Sequence, residues 1–140
     1  DWILANVLLQ DRLLHNSQSP LEDARIHAML CYRTPQSLKF RFDRTINKEH
    51  NKFNVETWML YHGDKLARRF DIRAYKSMNH LLGSIDICYE RDSFEKLVEK
   101  VTGNIFIVSI DTDLFFTHED NRDTYRRLLS VKPKVFFKTI

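Results

Sequence analysis

A nearly unbroken apolar run followed by two carboxylates stands out in the hydrophobic and polar pattern of the last third of the chain. Residues 105–110 are rich in β-branched side chains, which is typical of a strand buried on both faces in a parallel sheet. Asp111 and Asp113 follow where this strand ends. Open α/β sheets collect ligands and catalytic groups at the carboxyl ends of their strands. We therefore predict that a functional site lies at this edge of the sheet.

The residues after the acidic pair predict a helix and a second strand. Thr117–Asp120 is typical of a capping-box helix start in which Asp replaces Glu. A helical stripe then runs to about Leu129, and Lys-Pro-Lys breaks it. Residues 135–140 indicate the next strand. Strand, acidic loop, helix and strand form a βαβ unit, so the predicted fold class is α/β.

Helical periodicity dominates the first hundred residues. Residues 2–15 are apolar almost all round, which predicts a packed helix, whereas the polar residues 44–51 predict an exposed, mobile loop. Further helix starts are predicted at Ser19–Glu22, Thr34–Pro35, Asn54, Asp71 and Asp92–Glu95. The glycines predicted as helix ends or turns are Gly63, Gly83 and Gly103. Helices followed by a single strand pair indicate a piece of a larger α/β protein, because two strands are not stable alone.

Composition excludes several classes of protein. With 43% apolar and 29% charged residues, the 140-residue chain has the composition of a soluble globular domain. The net charge is +3 and acidic residues are scattered among the basic ones, so no nucleic-acid interface is expected. The chain contains only three glycines, and they form no Gly-rich loop of the kind that binds phosphate. The apolar start lacks a basic flank and is too short to span a bilayer, so no membrane segment is expected.

The cysteines and histidines indicate neither a disulfide framework nor a metal site. Cys31 and Cys88 lie far apart on apolar helical segments, which favours free thiols in a reducing compartment. We therefore expect a cytoplasmic protein. The six histidines show no metal-ligand spacing, and no metal is expected.

The Asp-x-Asp pair permits three chemical interpretations. A phosphotransfer site of the haloacid-dehalogenase type would use Asp111 as nucleophile, but that motif normally opens its domain, and Leu114 replaces the expected Thr. A metal-binding pair of a glycosyltransferase lacks a nucleotide-binding context. The third possibility is the carboxylate of a Ser-Asp-His triad, whose chain order in α/β-hydrolases fits this layout. A purely structural role, in which both carboxylates hydrogen-bond the turn, also stays open.

Residues 54–75 resemble the homoserine O-acetyltransferase family. They include Val-Glu-Thr-Trp-Met, His-Gly-Asp-Lys-Leu and Arg-Phe-Asp-Ile-Arg-Ala-Tyr, similar to the family's Val-Glu-Ser-Tyr-Leu, Gln-Gly-Glu-Lys-Phe and Arg-Phe-Asp-Ala-Asn-Ser-Tyr. Ala24-Arg25 followed by Tyr32-Arg33 resembles its Ala-Arg…Ile-Thr-Tyr-Arg segment. Residues 108–116 resemble its Val-Ser…Ser-Asp-Trp-Leu-Phe/Tyr motif. The resemblance covers most of residues 20–140.

The resemblance implies a partial α/β-hydrolase fold whose sheet is interrupted by a helical lid. Residues 1–19 would be the end of a core helix and the entry to the lid, and residues 20–90 the lid itself. Residues 91–140 would be a C-terminal part of the hydrolase core. Because lid helices pair between subunits in the family, the resemblance also implies a homodimer.

The implied chemistry is ping-pong acyl transfer from acetyl-CoA to the hydroxyl of L-homoserine, in methionine biosynthesis. Asp113 would be the triad carboxylate, Arg25 would hold the carboxylate of homoserine, and Tyr32 would lie beside Arg25. Acetyl-CoA is implied as co-substrate, with no other cofactor. Two departures are Leu114, where the family usually has Trp, and Thr117-His118, where it has Pro-Pro.

No Gly-x-Ser-x-Gly elbow and no Gly-His-Asp motif occur among the 140 residues. Asp113 would therefore be the one triad member present, and we predict that the chain by itself is inactive. Two alternatives remain open: a non-catalytic helical dimerisation remnant of the family, or an α/β-hydrolase esterase or acyltransferase with another acceptor.

Overall fold

The computed structural model describes all residues, Asp1–Ile140, in two compact units. Asp1–Ser84 forms a helical unit with a small hairpin, and Ile85–Ile140 forms an α/β unit. The helices are α1 (Trp2–Asn16), α2 (Pro20–Cys31), α3 (Pro35–Phe42), α4 (Asn54–Ala67), α5 (Ile72–Ser84), α6 (Phe94–Glu99) and α7 (His118–Leu129). The strands are β1 (Ile46–Asn47), β2 (Lys52–Phe53), β3 (Ile105–Ser109) and β4 (Val135–Thr139).

Two glycines lie at close helix contacts of the helical unit. Helix α2 packs against α1 and α4, and α5 packs against α1. A Cβ atom at Gly63 of α4 would lie 3.1 Å from the carbonyl oxygen of Glu22, and one at Gly83 of α5 would lie 2.9 Å from Val7 Cγ1. Gly63 lies inside α4, so the prediction that it ends a helix or forms a turn was wrong, because its missing Cβ serves helix packing instead. Gly83 is the second-last residue of α5, which agrees with the predicted helix end.

Helix α1 buries a polar stripe. The predicted helix is confirmed, but its buried residues are Asn6, Gln10 and Leu14, while Leu4 and Leu8 are exposed. The Nε2 of Gln10 donates to the carbonyl oxygen of Ala24 at 3.0 Å. Hydrogen bonding to α2 therefore compensates part of the cost of burying this amide.

Most of the predicted helix starts are confirmed by their hydrogen bonds. At Thr34, Asp71, Ser93 and Thr117, a side-chain oxygen accepts a hydrogen bond from a backbone N–H two or three residues further on. Each such bond satisfies one of the amide donors that a helix leaves free in its first turn. Helices α3, α5, α6 and α7 therefore begin at or directly after the predicted residues.

The predicted capping box at Ser19–Glu22 was wrong. Ser19 is the N-cap residue of α2, but its side chain makes no capping hydrogen bond. Instead, the hydroxyl of Ser17 donates to the carboxylate of Asp23 and accepts from the backbone N–H of Ser19 at 2.9 Å. Ser17 thus supplies the polar contacts of this helix start from two residues upstream.

The predicted cap at Asn54 was also wrong, by one position. Asn54 is the first residue of α4, and Phe53 is its N-cap residue. The Oε2 of Glu56 accepts the backbone N–H of Phe53 at 2.7 Å, whereas the Nδ2 of Asn54 donates to Thr45 Oγ1 at 2.9 Å. The backbone N–H of Asn54 also donates to the carbonyl oxygen of Thr45, at 2.8 Å, so both groups of this residue bond Thr45 and its side chain does not cap the helix.

Residues 44–51, predicted as a loop, contribute to a short β-hairpin. Ile46 pairs with Phe53, and Asn47 pairs with Lys52. The Oδ1 of Asn47 accepts the backbone N–H groups two and three residues further on, at 3.0 and 3.2 Å. This local side-chain bonding is typical of Asn in turns, and it gives the polar stretch a defined conformation.

Strands β3 and β4 run parallel, which confirms the predicted βαβ unit. Their register runs from Ile105 opposite Val135 to Ser109 opposite Thr139. One face of this pair is covered by α7 and, through it, α6, and the core consists of Phe94, Val98, Ile105, Ile107, Tyr125, Leu128, Val131 and Val135. The prediction of burial on both faces was wrong: Phe106 and Val108 point the other way and are 69% and 60% exposed.

Candidate functional site

The acidic loop, residues 110–117, begins at the end of β3, and hydrogen bonds hold this end to β4. The backbone N–H of Ile140 donates to the carbonyl oxygen of Ser109 at 2.9 Å. The N–H of Asp111 then donates to the carbonyl oxygen of Ile140 at 3.1 Å. The hydrogen bonding between the strands therefore continues into the first residues of the loop, which anchors its amino-terminal end to β4.

The two carboxylates of the loop differ in environment. Asp111 is exposed. Asp113 is half-buried, and its Oδ1 accepts the backbone N–H groups of Phe115 at 2.7 Å and Phe116 at 3.0 Å. Its Oδ2 accepts no hydrogen bond within the chain. The turn therefore fixes the orientation of this carboxylate and leaves one oxygen available to a further donor.

A set of polar side chains beside the acidic loop was not found by sequence reasoning. Ser109 is 1% exposed, and its Oγ lies 3.0 Å from Nδ1 of His118 and 3.1 Å from Nδ2 of Asn121. The signal that could have found it is a hydroxyl at the end of an apolar strand, followed by a histidine in the first turn of the next helix. These contacts join the end of β3 to the beginning of α7.

Arg25 of α2 and Tyr32, the C-cap residue of that helix, lie close together, as their spacing of seven residues predicts. The guanidinium carbon of Arg25 lies 5.2 Å from the ring centroid of Tyr32, in a cation–π contact. Arg25 is half-buried and forms no ion pair with any carboxylate of the chain. Its guanidinium is therefore oriented by an aromatic ring and remains available to an anionic ligand.

Other helices of the same unit place titratable groups around Arg25. Burial raises the pKa of Tyr75 on α5, and the nearby phenol of Tyr32 raises it further. Burial lowers the pKa of His62 on α4, and the positive charge of Arg25 lowers it further, together with smaller effects of three other basic side chains. Positive charge thus predominates around His62. This environment favours the binding of an anion over that of a cation.

The structure brings Arg25 and Tyr32 together in the helical unit, and Asp113 lies in the α/β unit. No group of three or more His, Cys, Asp or Glu side chains has an arrangement that could hold a metal ion. None of the helices combines the length and the apolar character needed to cross a membrane.

Comparisons with known proteins identify relatives that share most of this chain. The homoserine O-acetyltransferase of Chloroherpeton thalassium is 32% identical over 106 residues, which are 76% of this chain. That of Trichormus variabilis is 28% identical over 100 residues, or 71% of the chain. That of Salinibacter ruber is 28% identical over 117 residues, or 82% of the chain. This chain is a relative of the homoserine O-acetyltransferases. No family model matches it.

The chain corresponds to part of these homoserine O-acetyltransferases. It spans 28% of the length of the first two relatives and 33% of the third. It also matches the crystal structure of homoserine O-acetyltransferase from Staphylococcus aureus with a TM-score of 0.74 and 20% identity, over 98% of this chain and 39% of that chain. At this identity the structural match shows the fold. It confirms the predicted partial α/β-hydrolase fold, in which helices precede a βαβ piece of the core sheet.

Proposed function

We propose that these residues act as part of a homoserine O-acetyltransferase-like enzyme, which transfers an acetyl group from acetyl-CoA to the hydroxyl of L-homoserine. The observation that carries the proposal is the state of Asp113. Its Oδ1 is held by two backbone N–H groups, and its Oδ2 is left without a partner in the chain. A carboxylate that orients a catalytic histidine needs one fixed oxygen and one oxygen free for the imidazole N–H.

In this mechanism Asp113 does not itself react with the substrate. Its free oxygen accepts the Nδ1–H of the triad histidine, which keeps the other ring nitrogen available as the base for the nucleophilic serine. The carboxylate also stabilises the imidazolium that forms when the histidine takes the proton. The two N–H donors on Oδ1 hold the carboxylate in one orientation while the histidine changes charge.

Arg25 would bind the carboxylate of homoserine, because a guanidinium can donate two parallel hydrogen bonds to a carboxylate. The Tyr32 ring would hold this guanidinium in place through the cation–π contact. The proposal also includes a cytoplasmic enzyme of methionine biosynthesis that forms homodimers through the lid helices.

A non-catalytic dimerisation module is a second candidate function. The observation that favours it is the set of apolar side chains exposed on two packed helices of the helical unit, namely Leu4 and Leu8 of α1 and Met78 and Leu81 of α5. A second copy could cover these side chains whether or not the protein is active. Dimerisation without acyl transfer in the longest natural polypeptide that contains these residues would favour this candidate.

The test is an assay of CoA release from acetyl-CoA in the presence of L-homoserine. We expect none from the 140-residue chain, and turnover from the longest natural polypeptide that contains it. In that polypeptide Asp113→Asn should lower kcat by roughly 10³- to 10⁴-fold, as in other triads. Asp111→Asn is the matched control and should change kcat little. A loss under tenfold in kcat for Asp113→Asn would remove this residue from the mechanism. Sustained turnover by the 140-residue chain would contradict the prediction that this chain is inactive because it contains one triad member.

A further inference from the structure

Three polar side chains join the two ends of the acidic loop; we call Ser109, His118 and Asn121 the polar clasp. Ser109 is the last residue of β3, and His118 and Asn121 lie in the first turn of α7. The two helix residues approach the same hydroxyl, at 3.0 and 3.1 Å. The loop between them, residues 110–117, is therefore closed by side chains at its base as well as by the backbone.

The polar clasp also contacts the turn that orients Asp113. The Nδ2 of Asn121 donates to the carbonyl oxygen of Phe116 at 3.2 Å as well as to Ser109. The N–H of the same residue, Phe116, donates to Oδ1 of Asp113 at 3.0 Å. The hydrogen bonds on either side of Phe116 thus connect the buried Ser109 hydroxyl, through Asn121 and the backbone of Phe116, to the Asp113 carboxylate.

The donors and acceptors of the polar clasp match each other. The amide nitrogen of Asn121 can only donate, so Ser109 Oγ accepts from it and still has its own proton to give. The Nδ1 of His118 can accept that proton when the ring carries its own hydrogen on Nε2. Without His118 the hydroxyl would stay buried with no acceptor, which costs free energy and favours a different loop conformation.

We propose that His118, through Ser109 and Asn121, is a positioning residue that fixes where the Asp113 carboxylate lies. The ordering of the loop follows from the contacts above. Its catalytic consequence rests on the proposed function, in which Asp113 orients the triad histidine. A displaced carboxylate would hold the imidazole away from the reactive geometry, and such misplacement lowers the rate of the chemical step more than substrate binding.

The first experiment tests the ordering of the loop by amide hydrogen exchange at Phe115 and Phe116, in the longest natural polypeptide that contains these residues. His118→Phe keeps a ring against Phe137, whose centroid lies 5.7 Å from that of His118, but removes the hydrogen bond. We expect it to speed exchange at both amides by about tenfold, as for a lost buried hydrogen bond. His118→Asn places an oxygen near the position of Nδ1 and should keep slow exchange.

His80→Phe, at an exposed position of α5, is the matched control and should leave both amides unchanged. Unchanged exchange at Phe115 and Phe116 in His118→Phe would overturn the proposal, because the loop would then be ordered without the clasp. This result needs no enzyme activity, so it decides the ordering step even if the proposed function fails.

The second experiment measures kinetics in the longest natural polypeptide that contains these residues. We expect His118→Phe to lower kcat by about ten- to a hundredfold with little change in the KM for homoserine, and His118→Asn to restore most of kcat. An unchanged kcat, in an enzyme that Asp113→Asn inactivates, would overturn the positioning role. If Asp113→Asn itself has no effect, the proposed function fails, and a positioning role toward catalysis fails with it.

Discussion

Gly63 of α4 lies against the backbone of Glu22 of α2, so that a Cβ atom at Gly63 would stand 3.1 Å from the Glu22 carbonyl oxygen and 3.3 Å from its Cα. This close approach has a consequence for the candidate site. Arg25 lies one turn further along α2, and His62 is the neighbour of Gly63 on α4. The distance between the two helices therefore sets the spacing of the basic groups around Arg25.

Gly63→Ala should destabilise the protein. Ala normally favours a helix over Gly by about 1 kcal/mol, but here the added methyl meets backbone atoms that cannot rotate away. We expect a net loss of about 1–3 kcal/mol in the free energy of unfolding, measured by urea denaturation. Gly103→Ala is the control, since a Cβ there meets nothing within 4 Å, and it should be neutral or slightly stabilising. Equal effects of the two changes would contradict the packing argument.

Replacing each of two adjacent leucines of α7 by Ala should change the free energy of unfolding by very different amounts. Leu128 is 5% exposed and lies in the core of the α/β unit, whereas Leu129 is 43% exposed. Leu128→Ala should lower the free energy of unfolding by about 2–5 kcal/mol, because it removes buried methyl groups and leaves a cavity. Leu129→Ala should cost clearly less. Thermal or urea unfolding of both variants checks this. A similar loss of stability in both would mean that Leu128 does not face the core as described.

Stability should fall as the pH drops below about 7, because of His27. Burial lowers its pKa, and its Nδ1 lies 2.8 Å from Nε2 of Gln10, which donates only to an unprotonated ring nitrogen. In the unfolded chain His27 takes up a proton near pH 6.5, whereas the folded chain takes it up at lower pH. Between the two pKa values the unfolded state binds more protons. The contribution of the neutral His27 ring to stability is therefore complete above pH 7 and is lost as the pH falls below 6.5.

His27→Gln should therefore reduce the slope of the unfolding free energy between pH 7.5 and 5, measured from urea midpoints. Part of the slope should remain, because burial and neighbouring cations also lower the pKa of His62. His80→Gln, on an exposed part of α5, is the control and should keep the original slope. A variant at His27 with the full slope would show that this residue does not couple folding to pH.

Arg25→Ala should raise the KM for homoserine in the active polypeptide by about ten- to a hundredfold, since one charged hydrogen-bond partner of the substrate carboxylate is lost. The acyl half-reaction with acetyl-CoA should stay intact. Tyr32→Phe keeps the ring under the guanidinium and should have little effect, whereas Tyr32→Ala should raise KM moderately. Arg12→Ala, an exposed position of α1, is the control. An unchanged KM would favour an esterase or an acyltransferase with another acceptor.

Local sequence determined the features whose causes lie within a few residues. Thr34, Asp71 and Thr117 cap helices because each side chain bonds an amide two or three positions away, and such contacts need no distant partner. The βαβ unit followed from a β-branched run and a helix-breaking proline. The resemblance in residues 54–75 pointed to the relatives that the comparisons then identified.

The polar groups and glycines at contacts between elements could not be predicted from the sequence, because their partners lie far away along the chain. Gln10 meets His27 from 17 positions away, and Asn79 donates to the carbonyl oxygen of Val7 from 72 positions away. The role of Gly63 at a helix contact depends on Glu22, which lies far from it in the sequence. The helices, the strand pair and the acidic loop could be predicted from the amino-acid sequence, because local bonding and hydrophobic periodicity specify them. The packing of the helices and the bonding of the loop depended on the folded chain, because their partners are brought together only by folding.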